Sequence, residues 1–349
     1  MRITSTLATT ALIAVIATPA AATPLTATPA FPAEPPGRLV IHATGDVTTS
    51  PDSVAAVRSS DFADPWTDVG DIFRRDDLTL INLECDPTDR GTLRSDKPYS
   101  FRCPPESLAA MRAAGVDVAS MGNNHSGDYG DEGLLDGRAN LVAAGLNPVG
   151  AGKDLAEANA AVFFDLDGRR VAVLAFSAVS GVAYEWPYTP DDHANLRSPW
   201  FATTERAGVA PATVANMTAA VAAVRPQVDL VIVMLHQGVF NETRHPFADE
   251  IERAHALIDA GADVVFAHHH HRVLPMETYR GRLIFYGLGS FVFSRLEPDR
   301  NISAVAEIVV SPDGAVTGRL IPALIVSSGH PVLRGAADYQ VRIDRALVR

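Results

Sequence analysis

Residues 262–271 read ADVVFAHHHH: a short apolar run, rich in β-branched residues, that ends in four consecutive histidines. Four other runs in the chain end the same way. LVIHATG (39–45) runs into Asp46, LTLINL (78–83) into Glu84, VDVASMG (116–122) into Asn123-Asn124-His125, and DLVIVML (229–235) into His236. Runs of this length and composition read as buried strands. In open α/β sheets, ligands gather just beyond the carboxyl ends of the strands, where rigid elements present polar side chains to a crevice. Five strand ends that all carry His, Asp, Glu or Asn are poorly explained by core packing and imply a metal site assembled from distant parts of the chain.

Between these runs the periodicity changes. PESLAAMRAAG (105–115) has Pro and Glu at its start and Gly115 at its end, the start and stop signals of a helix; Glu132–Ala144, stopped by Gly145, and FADEIERAHALIDAG (247–261) read alike. A βαβ rhythm of this kind implies a sheet that is at least partly parallel. The last third differs. LPMETYRGRLIFYGL (274–288) predicts a hairpin across Arg280-Gly281, and residues 303–326 predict another across Pro312-Asp313-Gly314. The expectation is a mixed α/β, α+β-type architecture with two sheets. Residues 181–210 have no clear period and read as a lid, a binding loop or a peripheral packed loop.

Composition narrows the function. The chain has 349 residues, 47% of them apolar, enough for a sizeable core, and a formal net charge of -12. Such an acidic balance argues against nonspecific nucleic-acid binding, although metal ions can still draw an anionic substrate to an acidic protein. No GxxxxGK[ST] loop is present, so ATP-driven ligation is not expected of this chain. Residues 1–22 carry Arg2, an apolar stretch and Ala20-Ala21-Ala22, and are expected to be a signal peptide; residues 23–37 form a Pro/Ala-rich linker, and one domain is expected over 38–349. Export to an extracellular, cell-wall or periplasm-like space follows. In that setting the two cysteines, Cys85 and Cys103, suggest one disulfide, with two free buried thiols as the alternative.

The chemistry lies at the strand ends. In a turn that leaves a strand, alternate residues point the same way, so His269 and His271 can converge while His268 and His270 point elsewhere. Imidazole suits zinc, iron and manganese. His236, Asp46 and Glu84 gain their weight from one another, and Glu84 could bridge two cations. Asn124 can offer a carbonyl oxygen to a metal while His125, on the other side of the chain, reaches substrate as a general acid oriented by Asp128. Tyr99 and Arg102 are candidates for substrate contact from their position alone.

The ordered set GD (45–46), NLE (82–84), YSFRCPP (99–105), GVDVASMGNNHSGDYGDEGL (115–134), LHQG (235–238), HHHH (268–271) and YGLGSFVF (286–293) resembles the bacterial capsule-synthesis CapA (poly-gamma-glutamate biosynthesis) family over residues 38–295. That resemblance implies the four-layer α/β/β/α sandwich of the calcineurin-like metallophosphoesterases. It further implies that Asp46 and His271 bind one divalent ion, that Glu84 bridges, and that Asn124, His236 and His269 bind a second, with His125 as the acid. The ion would be Mn, Zn, Fe or Mg, with one or two per chain. The implied partners are an anionic polymer or phosphate-ester substrate and a membrane synthase complex. Three positions depart from the phosphoesterase pattern. Thr48 stands where a histidine ligand is expected, Glu84 where the bridge is Asp, and Ala267 where Gly precedes the histidines. Thr48 weakens the first metal site most directly.

Overall fold

In the computed structural model, all five runs become strands or strand ends on one edge of a two-sheet sandwich. The structure describes residues 37–94, 97, 99–179, 200–239, 244–294, 300–327 and 329–335. The expected signal peptide, residues 23–36 of the expected linker and residues 181–199 of the expected loop lie outside the described residues.

The first sheet contains β1 (Leu39–Val47), β2 (Leu78–Leu83), β3 (Val118–Ser120), β4 (Asn147–Val149), β13 (Ile302–Val310), β14 (Val316–Ser327) and β15 (His330–Leu333), in the order β15-β14-β13-β1-β2-β3-β4. The second contains β6 (Val162–Leu166), β7 (Arg169–Ser177), β9 (Leu230–His236), β10 (Val264–His268), β11 (Met276–Tyr279) and β12 (Arg282–Phe285), in the order β11-β12-β10-β9-β7-β6. A small ladder joins β5 (Ala151–Gly152) to β8 (Gly208–Val209). The strands β1 to β4 run parallel, as do β7, β9, β10 and β12. The two predicted hairpins form as β11–β12 and β13–β14.

Alternation along the strands sorts the layers. Leu39, Ile41, Leu78, Leu80 and Val118 of the first sheet meet Val171, Val173, Ile232, Met234, Val264 and Phe266 of the second in one buried cluster. Each of the larger of these side chains contributes about 1.5–3 kcal/mol by leaving water. The opposite face of the second sheet, with Phe176, Val231, Val233 and Val265, is covered by Met217 and Val221 of helix Val214–Val224 and by Ala254, Leu257 and Ile258 of helix Ala248–Asp259. Helices Ser107–Ala113 and Gly130–Ala143 bury Leu108, Met111, Leu134 and Leu141 as the fourth layer, beside the parallel half of the first sheet. The architecture is therefore a four-layer α/β/β/α sandwich.

Two glycines set the geometry. Gly115 ends its helix at φ +107, and a Cβ there would sit 2.5 Å from the Phe73 backbone. Gly45 lets the end of β1 approach the 288–290 loop, where a Cβ would lie 2.0 Å from the Gly289 carbonyl oxygen. The β1–β2 register shifts between Ala43 and Asp46. Such a bulge re-aims the side chains at the end of a strand.

Candidate metal centre

Because the bearing strands are parallel, their carboxyl ends share one edge, and β9 and β10 place His236 and His268 in register. Two groups of donors meet there. Asp46, Glu84 and His271 form one; Glu84, His236 and His269 form the other; within each, the ligand atoms lie within 4.8 Å of one another. Glu84 belongs to both. Its Oε1 is 3.6 Å from His236 Nε2 and its Oε2 is 3.5 Å from His271 Nε2. Asn124 joins the second group through Oδ1, 2.7 Å from His236 Nε2. All these side chains are buried.

The four histidines divide as alternation requires. His269 and His271 turn into the centre, at φ +92 and +52. A non-glycine residue at positive φ is uncommon and needs surrounding structure to hold it. His268 and His270 point away, His268 Nε2 to the Thr44 carbonyl oxygen at 3.1 Å and His270 Nε2 to both oxygens of buried Glu250 at 3.2 Å. His271 Nδ1 contacts Ser290 Oγ at 2.8 Å, and Asn82 donates to Asp46 Oδ1 at 2.8 Å.

Electrostatics separates the donors from ordinary buried groups. Burial, partly opposed by hydrogen bonds from Asn82 and the His269 backbone, pushes the Asp46 carboxyl up to about 7. Burial and the nearby Asp46 push Glu84 well above the usual carboxylate range. Burial pushes His271 down to about 3 and His236 well below its ordinary value, with neighbouring histidines acting in the same direction. The donor set therefore tends to neutrality of both signs. Both Glu84 oxygens are buried and accept no hydrogen bond. A buried acceptor in that state carries a desolvation cost of about 1–3 kcal/mol, which coordination would remove. The residues present fit a divalent cation.

Beside the donors lies a second cluster. His125 Nδ1 is 2.8 Å from Asp128 Oδ2, which also accepts the Phe101 N–H at 2.7 Å. The Phe101 ring covers the His125 ring at 4.4 Å between centroids. Lys97 Nζ donates to Asp128 Oδ1 and to the Asn124 carbonyl oxygen. Burial, followed by the charge of Lys97, lowers the His125 pKa, and Asp128 opposes both.

Other expected residues fall outside this arrangement. Tyr99 is 60% exposed, and the Arg102 guanidinium lies 3.5 Å over the Tyr129 ring and donates to the Arg90 carbonyl oxygen. Thr48 is buried; its Oγ1 accepts the Ser50 N–H at 3.2 Å and lies 3.8 Å from Cys103 Sγ. The Cys85–Cys103 disulfide is formed, directly after Glu84. Trp200 is buried and donates from Nε1 to the Asn123 carbonyl oxygen. The sequence reading missed Asn82, Lys97, Trp200 and Ser290. Asn82 could have been found, because an amide side chain near the end of LTLINL stands out in a largely apolar strand.

A model of the bacterial capsule synthesis protein PGA_cap family matches residues 40–295. The chain belongs to that family. Among its relatives, a "probable polyglutamine synthesis accessory protein" of Mycobacterium tuberculosis is 35% identical over 62% of this chain and 55% of its own length. The PGA biosynthesis protein CapA of Bacillus subtilis is 30% identical over 71% of this chain and 61% of its own, and the capsule biosynthesis protein CapA of Bacillus anthracis is 28% identical over 73% and 59%. The chain thus spans somewhat over half the length of these relatives. A calcineurin-like phosphoesterase of Bacillus subtilis aligns over 90% of this PGA_cap chain and 97% of its own, at 14% identity and a TM-score of 0.47. Among the described residues, no helix of this PGA_cap chain is long and apolar enough to cross a membrane.

Proposed function

We propose that this chain is an exported, metal-dependent hydrolase of the CapA type, acting in the synthesis or export of poly-gamma-glutamate or a related anionic polymer beside a membrane synthase. The observation that carries the hydrolase reading is the sharing of Glu84 between two donor sets, with both of its oxygens left without hydrogen bonds. Asp46, Glu84 and His271 would hold one cation, and Glu84, Asn124, His236 and His269 a second. A divalent cation held there supplies Lewis acidity toward a phosphoryl or acyl oxygen and acidifies water near neutral pH. His125 donates its Nδ1–H to Asp128 and presents Nε2 to the leaving group; it would act there as an acid once Nε2 has taken up a proton, as an imidazolium that the Asp128 carboxylate stabilises. The buried walls exclude bulk water, which strengthens every charge interaction inside.

One observation favours a second reading. Thr48 leaves the Asp46 set with three protein donors, which suits a single-cation module that binds an anionic polymer without cleaving it. Metal content per chain, measured by mass spectrometry for wild type and for the His269→Ala, His271→Ala pair, separates the two when combined with hydrolysis of bis-p-nitrophenyl phosphate under added manganese. About two equivalents, lost in the double variant together with hydrolysis, supports the hydrolase. One equivalent without hydrolysis supports the binding module, and no metal after reloading sinks both. Unchanged surface polymer after deletion of the gene would count against the capsule role whatever the chemistry.

A further inference from the structure

We infer that Lys97 is a positioning residue of this centre, whose ammonium group fixes both the Asn124–His125 peptide and the Asp128 carboxylate. The inference rests on the hydrolase reading above. The Lys97 side chain has no solvent exposure, nor has that of Asp128. Lysine is almost never fully buried unless paired, because its charge must be solvated by the protein. An ammonium group has three donors, and three recipients surround this one: the Asn124 carbonyl oxygen, Asp128 Oδ1 and the face of the Trp200 ring, whose centroid is 4.7 Å from Nζ.

The consequence for His125 is geometric. Nζ lies 3.3 Å from His125 Nδ1, but Asp128 Oδ2 lies closer to that nitrogen, at 2.8 Å, and can only accept. The ring proton therefore sits on Nδ1, and Nε2 is left to the centre. Lys97 keeps Asp128 in place by occupying Oδ1 while Oδ2 takes the ring and the Phe101 N–H. The same ammonium holds the carbonyl of Asn124, whose side chain reaches His236. One cation thus sets the orientation of a proposed ligand and of the proposed acid on opposite sides of the chain.

The test uses the full, metal-loaded protein with 15N-labelled histidine. Long-range 1H–15N correlation should show His125 as a single Nδ1–H tautomer in wild type. In Lys97→Met that single tautomer should be lost and metal affinity should fall about 10–100-fold, the usual cost of removing a group that orients ligands. For bis-p-nitrophenyl phosphate, kcat should fall while KM stays within about twofold, since no substrate contact is removed. Lys97→Arg should restore the tautomer. A folded Lys97→Met variant with the wild-type tautomer and metal affinity would overturn the assignment. If Lys97→Met does not fold, Lys97→Gln decides on the same two readouts, loss supporting the assignment and wild-type values overturning it. A wild type that takes up no metal sinks the hydrolase reading, yet leaves the tautomer comparison readable.

Discussion

Breaking the Cys85–Cys103 bridge should lower the Tm of the metal-free protein by about 5 °C. The two cysteines are 18 residues apart in sequence, and both are fully buried. Closing a loop of that length removes unfolded-state entropy worth about 3 kcal/mol at 25 °C. A domain of roughly 300 residues loses a little under 2 °C of Tm per kcal/mol, which gives the figure above. Two forms separate the contributions. Wild type unfolded and refolded under a reductant keeps its sulfur atoms and loses only the cross-link. A Cys85→Ala, Cys103→Ala variant also leaves two small voids, costing roughly another 1 kcal/mol, so its Tm should be lower still. Differential scanning calorimetry after chelation, with thiol titration of the unfolded chain, measures both. Chelation matters because a bound cation would add its own stabilisation. A reduced wild type melting within about 1 °C of the oxidised form would refute the loop-closure reasoning. The bridge would then act only on local geometry, where Cys103 Sγ accepts the Thr49 N–H at 3.1 Å.

Glu84→Gln should take metal content below one equivalent, because the residue serves both donor sets; loss of one equivalent alone would refute the shared role. The same change should raise the Tm of the metal-free protein, since it removes a buried carboxyl whose ionised form has no hydrogen-bond partner. Glu250→Gln, which weakens the anchor of His270, should reduce metal affinity about 10–100-fold in competition with a chelator, and an unchanged affinity would mean that the strained turn is held by other contacts. At the far side of the first sheet, burial alone would raise Glu307, but hydrogen bonds from His42 and Arg319 hold it down at about 2. A depressed carboxylate contributes stability above its unfolded pKa, near 4.5, and loses it as pH falls toward 2. Burial raises Asp76 to about 6, so it acts oppositely: stability grows as pH falls from about 6 toward 3.8. Urea melts across this range should therefore show a rise followed by a fall, and Glu307→Gln should remove the fall; a fall that persists would place the acid-sensitive group elsewhere.

The parts of this protein that were legible in its sequence are those governed by local chemistry. Apolar runs ending in ligand-type residues marked the carboxyl edge of the sheets, and alternation after β10 separated His269 and His271 from His268 and His270. Gly115, Gly145 and Gly261 marked helix ends, and Arg280-Gly281 marked a tight hairpin. Long-range pairing was not legible. Nothing local says that β13 returns from the last third of the chain to lie antiparallel beside β1, with Leu39 opposite Val310. Lys97 was missed for a related reason. A single lysine in a polar loop has no period, and only the tertiary fold buries it against Asp128. Arg102 was expected at the substrate from its position alone; in the fold its neighbour Cys103 is fixed by the disulfide and its guanidinium stacks on Tyr129.

The departures from the phosphoesterase pattern make sense together. Thr48 cannot supply an imidazole, and its hydroxyl is turned to the Ser50 amide, so the Asp46 set depends on its remaining donors more heavily. Glutamate at position 84 carries one more methylene than aspartate. With that reach Glu84 divides its oxygens, Oε1 toward His236 and Oε2 toward His271, at nearly equal distances of 3.6 and 3.5 Å. A shorter side chain from the same backbone, which is pinned by the Glu84 N–H to the Val47 carbonyl oxygen at 2.7 Å, would stop short of that midpoint. In the proposed reading, the longer side chain lets Glu84 serve both donor sets while Thr48 offers the Asp46 set no imidazole. Occupancy of the two sets should then be coupled: a cation in the His236 set fixes the carboxylate that the Asp46 set needs, so stepwise loading should favour the His236 set first and the Asp46 set second.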